Sequence, residues 1–337
     1  MKFIIKIIAL TLLAVATNGK TLQAQTAIQG SGASFPAPLY QRWVAEFVKI
    51  HPDVQINYQP IGSGAGIKNL AAGLVDFAGS DAAMSDKEIA AVHKGVVMVP
   101  ATAGSIVLAY NLPDVSSLKL SRAAYVGIFL GKITKWTDPV IASTNPDRPL
   151  PNLPIMVVTR SDGSGTTFAF TQHLSAIDVE FSQNVGFNKA VAWPTGMAGK
   201  GNDGVTALIK QTPGAIGYVE YGYAINNHLP FASLQNKSGT FVKATPESGR
   251  ATLSHTSLPA NLRAWPSDPS GKEDYPITTF TWLLLYKKYE DPQKLKALKE
   301  FVSYGLTTGQ SFSDPLGYLP LPAEIVTRAQ AALETIH

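Results

Sequence analysis

The chain has 337 residues, no cysteine, 45% hydrophobic residues and a formal net charge of +4. The missing cysteine excludes disulfides, thiol catalysis, cysteine-ligated metals and a lipid anchor carried on cysteine. The small charge excess is not clustered into a basic face, which argues against a nucleic-acid partner.

Residues 1–24 read as an export signal. Lys2 and Lys6 give a basic start, and Ile7–Ala16 is an apolar core too short for a permanent anchor. Leu22-Gln23-Ala24 offers a small-residue cleavage site before Gln25, with Ala14-Val15-Ala16 as a second candidate. The signal holds Lys2, Lys6 and Lys20 and no acidic residue, so its removal brings the formal charge from +4 to +1. No later stretch is long and apolar enough to span a bilayer. The expectation is a soluble exported protein of about 310 residues, large enough to be held by its core and, on length alone, divided into two domains.

The remaining chain alternates strand-like and helix-like segments, a pattern of α/β domains. Gln25–Gly30 reads as a strand. Phe35–Ile50 reads as an amphipathic helix, with Leu39, Trp43, Phe47 and Ile50 at helical spacing. Val54–Tyr58 is a strand, Gly66–Leu74 a helix and Phe77–Ser80 a short strand. Val96–Pro100 and Ile106–Asn111 read as two further strands. Ile155–Thr159 leads as a strand into a glycine-rich loop, and Thr167–Leu174 leads out as a helix. Ala215–Tyr218 and Phe280–Tyr286 are later strands; Lys294–Tyr304 and Pro322–Glu334 close the chain as helices. Ser143–Pro154 and Asn236–Lys272 read as surface loops.

The loop Arg160-Ser161-Asp162-Gly163-Ser164-Gly165-Thr166-Thr167-Phe168 has the composition of an anion cradle. Its glycines let successive N–H groups converge, its hydroxyls add donors, and the following helix start adds the positive end of a dipole. Arg160 supplies a planar charged fork. Two other turns also join a strand to a helix: Gly30-Ser31-Gly32-Ala33-Ser34-Phe35-Pro36, with Ser34 placed as an N-cap, and Ile61-Gly62-Ser63-Gly64-Ala65-Gly66. In open α/β sheets ligands bind at such strand ends.

Asp81 follows the strand Phe77–Ser80 and is expected to face the same crevice. A carboxylate beside an anion site makes sense if the anion carries a proton, because it can accept a hydrogen bond from a phosphate O–H. Sulfate, with no proton at neutral pH, would face the bare carboxylate. Asp81 can also be read as a helix cap, and Asp162 as the partner that holds Arg160 rather than a ligand contact.

Rival motifs are weaker. Gly199-Lys200-Gly201-Asn202-Asp203-Gly204 fits a dinucleotide string but follows poor strand material, and reads as a turn before a helix at Val205–Lys210. Gly62–Lys68 lacks the ending of a P-loop. Ser164 lacks the flanking glycines of a nucleophile elbow. The six histidines show no ligand spacing, so no metal or cofactor is expected. A binding module for sulfate or molybdate, and an exported phosphatase or esterase using Ser164 or Ser34, remain the alternatives; the second has no histidine near these turns in sequence.

Taken together, these runs resemble the periplasmic phosphate-binding proteins of phosphate ABC transporters. The likeness includes Gly30–Pro38, Tyr58–Ser63, Val75-Asp76-Phe77 with Ser80-Asp81, and Leu130–Ile133 with Lys135-Trp136. It continues through Arg160–Thr166, Gly199–Gly204 and Pro213–Glu220. The resemblance implies a two-lobed, type II-like periplasmic binding protein fold with the ligand between the lobes. Its lobes would be residues 25–105 with 282–337, and residues 106–281, crossing over at Ser105–Tyr110 and Ile277–Leu284. It implies no enzyme activity, a monomer, and delivery of inorganic phosphate to an inner-membrane ABC permease. The implied ligands are Ser34, Phe35 (through its backbone N–H), Ser63, Asp81, Arg160, Ser164, Gly165 and Thr166, with Asp162 pairing with Arg160. The family more often has threonine where this chain has Ser34; the hydroxyl is kept. The chain after Tyr318 departs from the family pattern.

Overall fold

The structure, a computed structural model, describes residues 25–337. The expected export signal and its cleavage point lie outside the described residues. The described residues form eleven strands: β1 (Thr26–Gly32), β2 (Val54–Gln59), β3 (Phe77–Ser80), β4 (Val96–Tyr110), β5 (Lys119–Leu120), β6 (Met156–Arg160), β7 (Met197–Gly199), β8 (Ala215–Glu220), β9 (Ser233–Gln235), β10 (Phe241–Val242) and β11 (Thr278–Tyr286). Eight of them make one sheet in the order β2-β1-β3-β11-β4-β8-β6-β7, and β10-β9-β5 make a small second sheet.

The two ends of the large sheet are parallel sets, β2-β1-β3 and β8-β6-β7. Between them lie the antiparallel β11 and β4. Val54, Ile56 and Tyr58 of β2 are buried while Gln55, Asn57 and Gln59 are exposed, the alternation of an edge strand with one wet face. β4 and β11 are buried at every position. β4 changes partner along its length: Val96–Ser105 lie against β11 and Ile106–Tyr110 against β8. The architecture is thus a two-lobed α/β fold whose lobes share β4.

β4 is where the sequence reading differs most. Two strands are expected with a break at the small and polar stretch Ala101–Ser105. One strand of 15 residues forms instead, about 50 Å long at a strand's rise per residue. The stretch stays extended because β11 pairs with it throughout. Its one irregularity is a bulge: Thr281 faces Thr102 and Trp282 faces Pro100, so Ala101 is the extra residue. A bulge is where a sheet accommodates a proline without an N–H to donate.

The helix Ala37–Ile50 buries Leu39, Tyr40, Trp43 and Phe47, as its spacing predicts. Ser63–Ala71 starts three residues before the expected Gly66, and Gly165–Ile177 two residues before Thr167. Asn236–Lys272 is not a bare loop. It holds β10 and a helix, Pro246–Ser254, whose start is closed by a Thr245–Ser248 capping box. After Tyr318 the chain still builds a regular helix, Ala323–Glu334, that buries Ile325, Ala329 and Leu333.

Trp43 is the anchor of the first lobe's helical layer. It is fully buried, packs tilted against Tyr40 with ring centroids 5.3 Å apart, and donates its indole N–H to the Gly309 carbonyl at 2.8 Å. Trp43→Ala leaves a cavity and an unmet carbonyl, and should cost about 3–5 kcal/mol of unfolding free energy in denaturant melts.

Candidate functional site

The strand ends of the two parallel sets face one another. On one wall are the turns after β1, β2 and β3, which bring Ser34, Phe35, Ser63 and Asp81. On the other is the loop after β6, which brings Arg160, Asp162, Ser164, Gly165 and Thr166. Ser34, Phe35, Ser63, Asp81, Ser164 and Thr166 are all at most 1% exposed. For the five polar side chains among them such burial needs partners, and the contacts show what they are.

The walls touch directly. Ser63 Oγ accepts from Gly165 N at 3.1 Å and from Asp81 N at 3.3 Å. Gly64 N donates to the Gly163 carbonyl at 2.7 Å. Gly62 has φ +98°, and a side chain there would strike the Asp162 carboxylate. A Cβ on Gly165 would lie 2.6 Å from both Asp81 Cβ and Ser63 Oγ. Glycine at these positions lets the two backbones meet. At the rim, Lys189 pairs with Glu88 at 2.7 Å, and the Lys189 carbonyl accepts from Ser164 N at 2.7 Å.

Arg160 ends β6, its backbone N–H bonded to the Tyr218 hydroxyl at 3.2 Å. Its guanidinium is held by Asp162 through two bonds, Nε to Oδ1 at 2.8 Å and Nη2 to Oδ2 at 2.5 Å, while Nη1 points to Thr166 Oγ1 at 3.3 Å. Asp162 also accepts from Gly201 N at 2.9 Å. Burial works to raise its pKa, but Arg160 and the Gly201 N–H outweigh it and hold the carboxyl below its usual range. Arg160 is thereby fixed in one orientation, with one edge toward the cleft and its charge balanced by Asp162.

Asp81 lies across from it. Its Oδ1 accepts from Thr281 Oγ1 at 2.8 Å. Burial pushes its pKa up to about 7, opposed by Thr281, by the charge of Arg160 and by Ser63, and reinforced by the charge of Asp162. Around it are the buried phenols of Tyr40 and Tyr58, both pushed up by burial. The cleft therefore carries one positive and two potentially negative groups. It does not attract anions by net charge. It offers fixed N–H and O–H dipoles, one guanidinium edge, and a carboxyl that can accept a proton.

Comparisons with known proteins identify the family and the fold. The family model of the PBP superfamily domain matches residues 19–307. The phosphate-binding protein PstS of Pasteurella multocida is 42% identical over 324 residues, covering 95% of this chain and 93% of its own. That of Haemophilus influenzae is 41% identical over 326 residues, covering 95% and 97%. The chain belongs to the PstS family of phosphate-binding proteins. The family is one of binding proteins rather than enzymes. Its fold is seen again in a phosphate-bound periplasmic phosphate-binding protein (PfluDING), with a TM-score of 0.74 at 21% identity over 91% of this chain and 93% of that one.

Within this PstS relative, the capping role expected of Ser34 needs correction, and the alternative reading of Asp81 as a cap drops out. Ser34 does not cap the first helix, which begins at Ala37 after Pro36 and has no side-chain cap. Its hydroxyl instead accepts from Asn202 N and Nδ2, both at 3.0 Å, across the cleft. Pro36 fixes the chain before the helix, so the hydroxyl is free to face the other wall. Nor is Asp81 a cap: the next helix is capped by a Ser85–Glu88 box, and the Asp81 carboxyl turns to Thr281. Ser164, by contrast, caps its helix, accepting from Thr167 N at 3.0 Å.

Four contributors were not evident from sequence. Asn202 opens the helix Gly201–Gln211, in the run that reads as a simple turn. Tyr223 donates to the Ser34 carbonyl at 2.7 Å, Tyr318 to the Phe35 carbonyl at 2.8 Å, and Thr281 to Asp81. Each reaches the site from a distant segment. Only the Gly199–Gly204 string gave any signal.

Gly165→Ala places a methyl where Asp81 and Ser63 already stand, and should prevent the walls from meeting; small-angle scattering with saturating ligand should show the variant more open than the parent. The Asp81 shift has a sign in stability. Its pKa is raised on folding, so the stability it contributes is full below about pH 4 and is lost as pH rises toward 7. The thermal midpoint of the ligand-free protein should fall over that range, and Asp81→Asn should make the fall shallower.

Proposed function

We propose that the chain is an exported, monomeric phosphate-binding protein that closes its two lobes on one inorganic phosphate and hands it to an inner-membrane ABC permease. It needs no metal or cofactor. The proposed lobes are residues 25–105 with 282–337, and residues 106–281; the change of partner in β4 between Ser105 and Ile106 supports the first boundary. The proposed ligand contacts are the backbone and hydroxyl of Ser34, the Phe35 N–H, Ser63, Asp81, Arg160, Ser164, Gly165 and Thr166.

The observation that carries the reading is two carboxyls around a single arginine, Asp81 fully buried and Asp162 partly buried. Arg160 is already balanced by Asp162. An entering anion therefore meets Asp81 without surplus positive charge. A phosphate with a proton turns that meeting into a hydrogen bond, with Asp81 accepting. A fully deprotonated oxyanion meets repulsion in a site of low dielectric. A site built around a donor on its ligand can reject an analogue lacking it by about four orders of magnitude. The names of the relatives point to the same ligand.

Neither serine is set up as a nucleophile. Ser164 Oγ is taken up as a helix cap, and Ser34 Oγ receives the two N–H groups of Asn202. Covalent catalysis needs an adjacent base, and these hydroxyls have amides instead.

Titration calorimetry on dialysed protein should show tight binding of phosphate that excess sulfate does not displace; equal affinity for the two anions would overturn the assignment. Asp81→Asn should weaken discrimination against sulfate, since the amide can donate to an oxyanion. Arg160→Met should lower phosphate affinity by about 10- to 100-fold or more, the scale of one buried charge-assisted contact.

A further inference from the structure

We propose that Thr281 is a positioning residue that sets anion specificity: from the opposing strand it occupies one oxygen of Asp81 and leaves the other to the ligand. The inference rests on Asp81 lying in the phosphate site as proposed above.

The placement follows from strand register. β11 runs antiparallel to β3 with Leu285 opposite Phe77, Leu284 opposite Ala78, Leu283 opposite Gly79 and Trp282 opposite Ser80. The next step puts Thr281 opposite Asp81, just past the end of β3. Directly opposed side chains on antiparallel strands are close enough to bond. The bulge in β4 falls at this same step, between Thr281 and Trp282. It re-registers the strand on the far side of β11 exactly where Thr281 turns toward the cleft. Thr281 is fully buried, and its hydroxyl donates to Asp81 Oδ1 at 2.8 Å. The Tyr40 hydroxyl is also buried beside this pair, within the influence of both Asp81 and Thr281.

The consequence is chemical. A hydroxyl that donates to a carboxylate favours its charged form. With Oδ1 engaged by Thr281, the lone pairs of Oδ2 remain to accept from the ligand. Without Thr281, nothing on that strand opposes protonation of Asp81. A neutral carboxyl becomes a donor, and a donor tolerates sulfate. The groups that act on Asp81 from its other sides are Arg160 and Asp162 from the loop after β6, Ser63 from the facing turn, Tyr40 and Tyr58 from the first helix and β2, and Glu220, Tyr223 and Tyr318 from behind. The phenols and Glu220 are all held toward their neutral forms by burial. Thr281 and Arg160 are therefore the chief groups that keep the Asp81 carboxylate charged.

The test is calorimetric titration of phosphate and of sulfate from pH 5.5 to 9 on the full mature chain, in the parent, Thr281→Val, Thr281→Ala and Thr281→Ser. Valine matches the shape and removes the donor. Valine and alanine should lower the ratio of phosphate to sulfate affinity by about 10- to 100-fold, the scale of one hydrogen bond to a charged group. The pH at which discrimination appears should move upward. Serine should restore both the ratio and the pH profile. A purely structural role would lower thermal stability and leave the ratio and its pH profile unmoved; that result in a folded Thr281→Val or Thr281→Ala overturns the proposal. If valine fails to fold, alanine decides. If the parent binds no phosphate, the functional reading fails, and the same titration shows that separately.

Discussion

On the proposed function, a buried carboxylate that accepts a hydrogen bond from its ligand is the constraint on which the site depends. Asp81 is fully enclosed, faces an arginine already neutralised by Asp162, and is fixed by Thr281. Each of these conditions alone is ordinary. Together they make a cleft in which net charge is a poor attractant and hydrogen-bond direction decides. The helix starts at Ser63 and Gly165, the cap at Ser164 and the amides around Asn202 supply that direction. Backbone dipoles are cheap to fix because the strands behind them are already fixed.

The glycines serve the same end from the steric side. Two backbone turns on opposite walls approach within hydrogen-bond reach, Gly64 to Gly163 and Gly165 to Ser63. Residues with side chains at Gly62 and Gly165 would hold the walls apart by the width of a methyl group. Water would then fill the gap and weaken every electrostatic contact within it. On the proposed function, tight backbone contact and selectivity would be one property.

Much of this was legible in the sequence. The strand–turn–helix pattern around Ser34, Ser63 and Arg160, and the lone acid at Asp81, name the local parts, because each lies within a few residues of its own signal. What was not legible came from far along the chain. Thr281 meets Asp81 only through the register of β11, and Asn202 meets Ser34 only when the walls close. β4 read as two strands because a run of small polar residues carries no apolar signal, although its pairing partner keeps it extended. The capping role given to Ser34 failed for the complementary reason: a serine directly before the expected helix start at Phe35 satisfies a local rule, but the helix begins at Ala37 and the hydroxyl bonds Asn202 across the cleft.

The contacts between the walls include several made by protein groups alone: Ser63 with Gly165, Gly64 with Gly163, Ser34 with Asn202, Lys189 with Glu88. These bonds favour the closed form whether or not an anion is inside. If these bonds keep the binding-competent state well populated in advance, the conformational tax on affinity is small, which on the proposed function would favour capture of a scarce ligand. On the proposed function the same arithmetic would make unloading the hard step: a bound ligand would leave only after these protein–protein bonds break, and the pair of Lys189 and Glu88 lies at the rim where a partner surface would meet it.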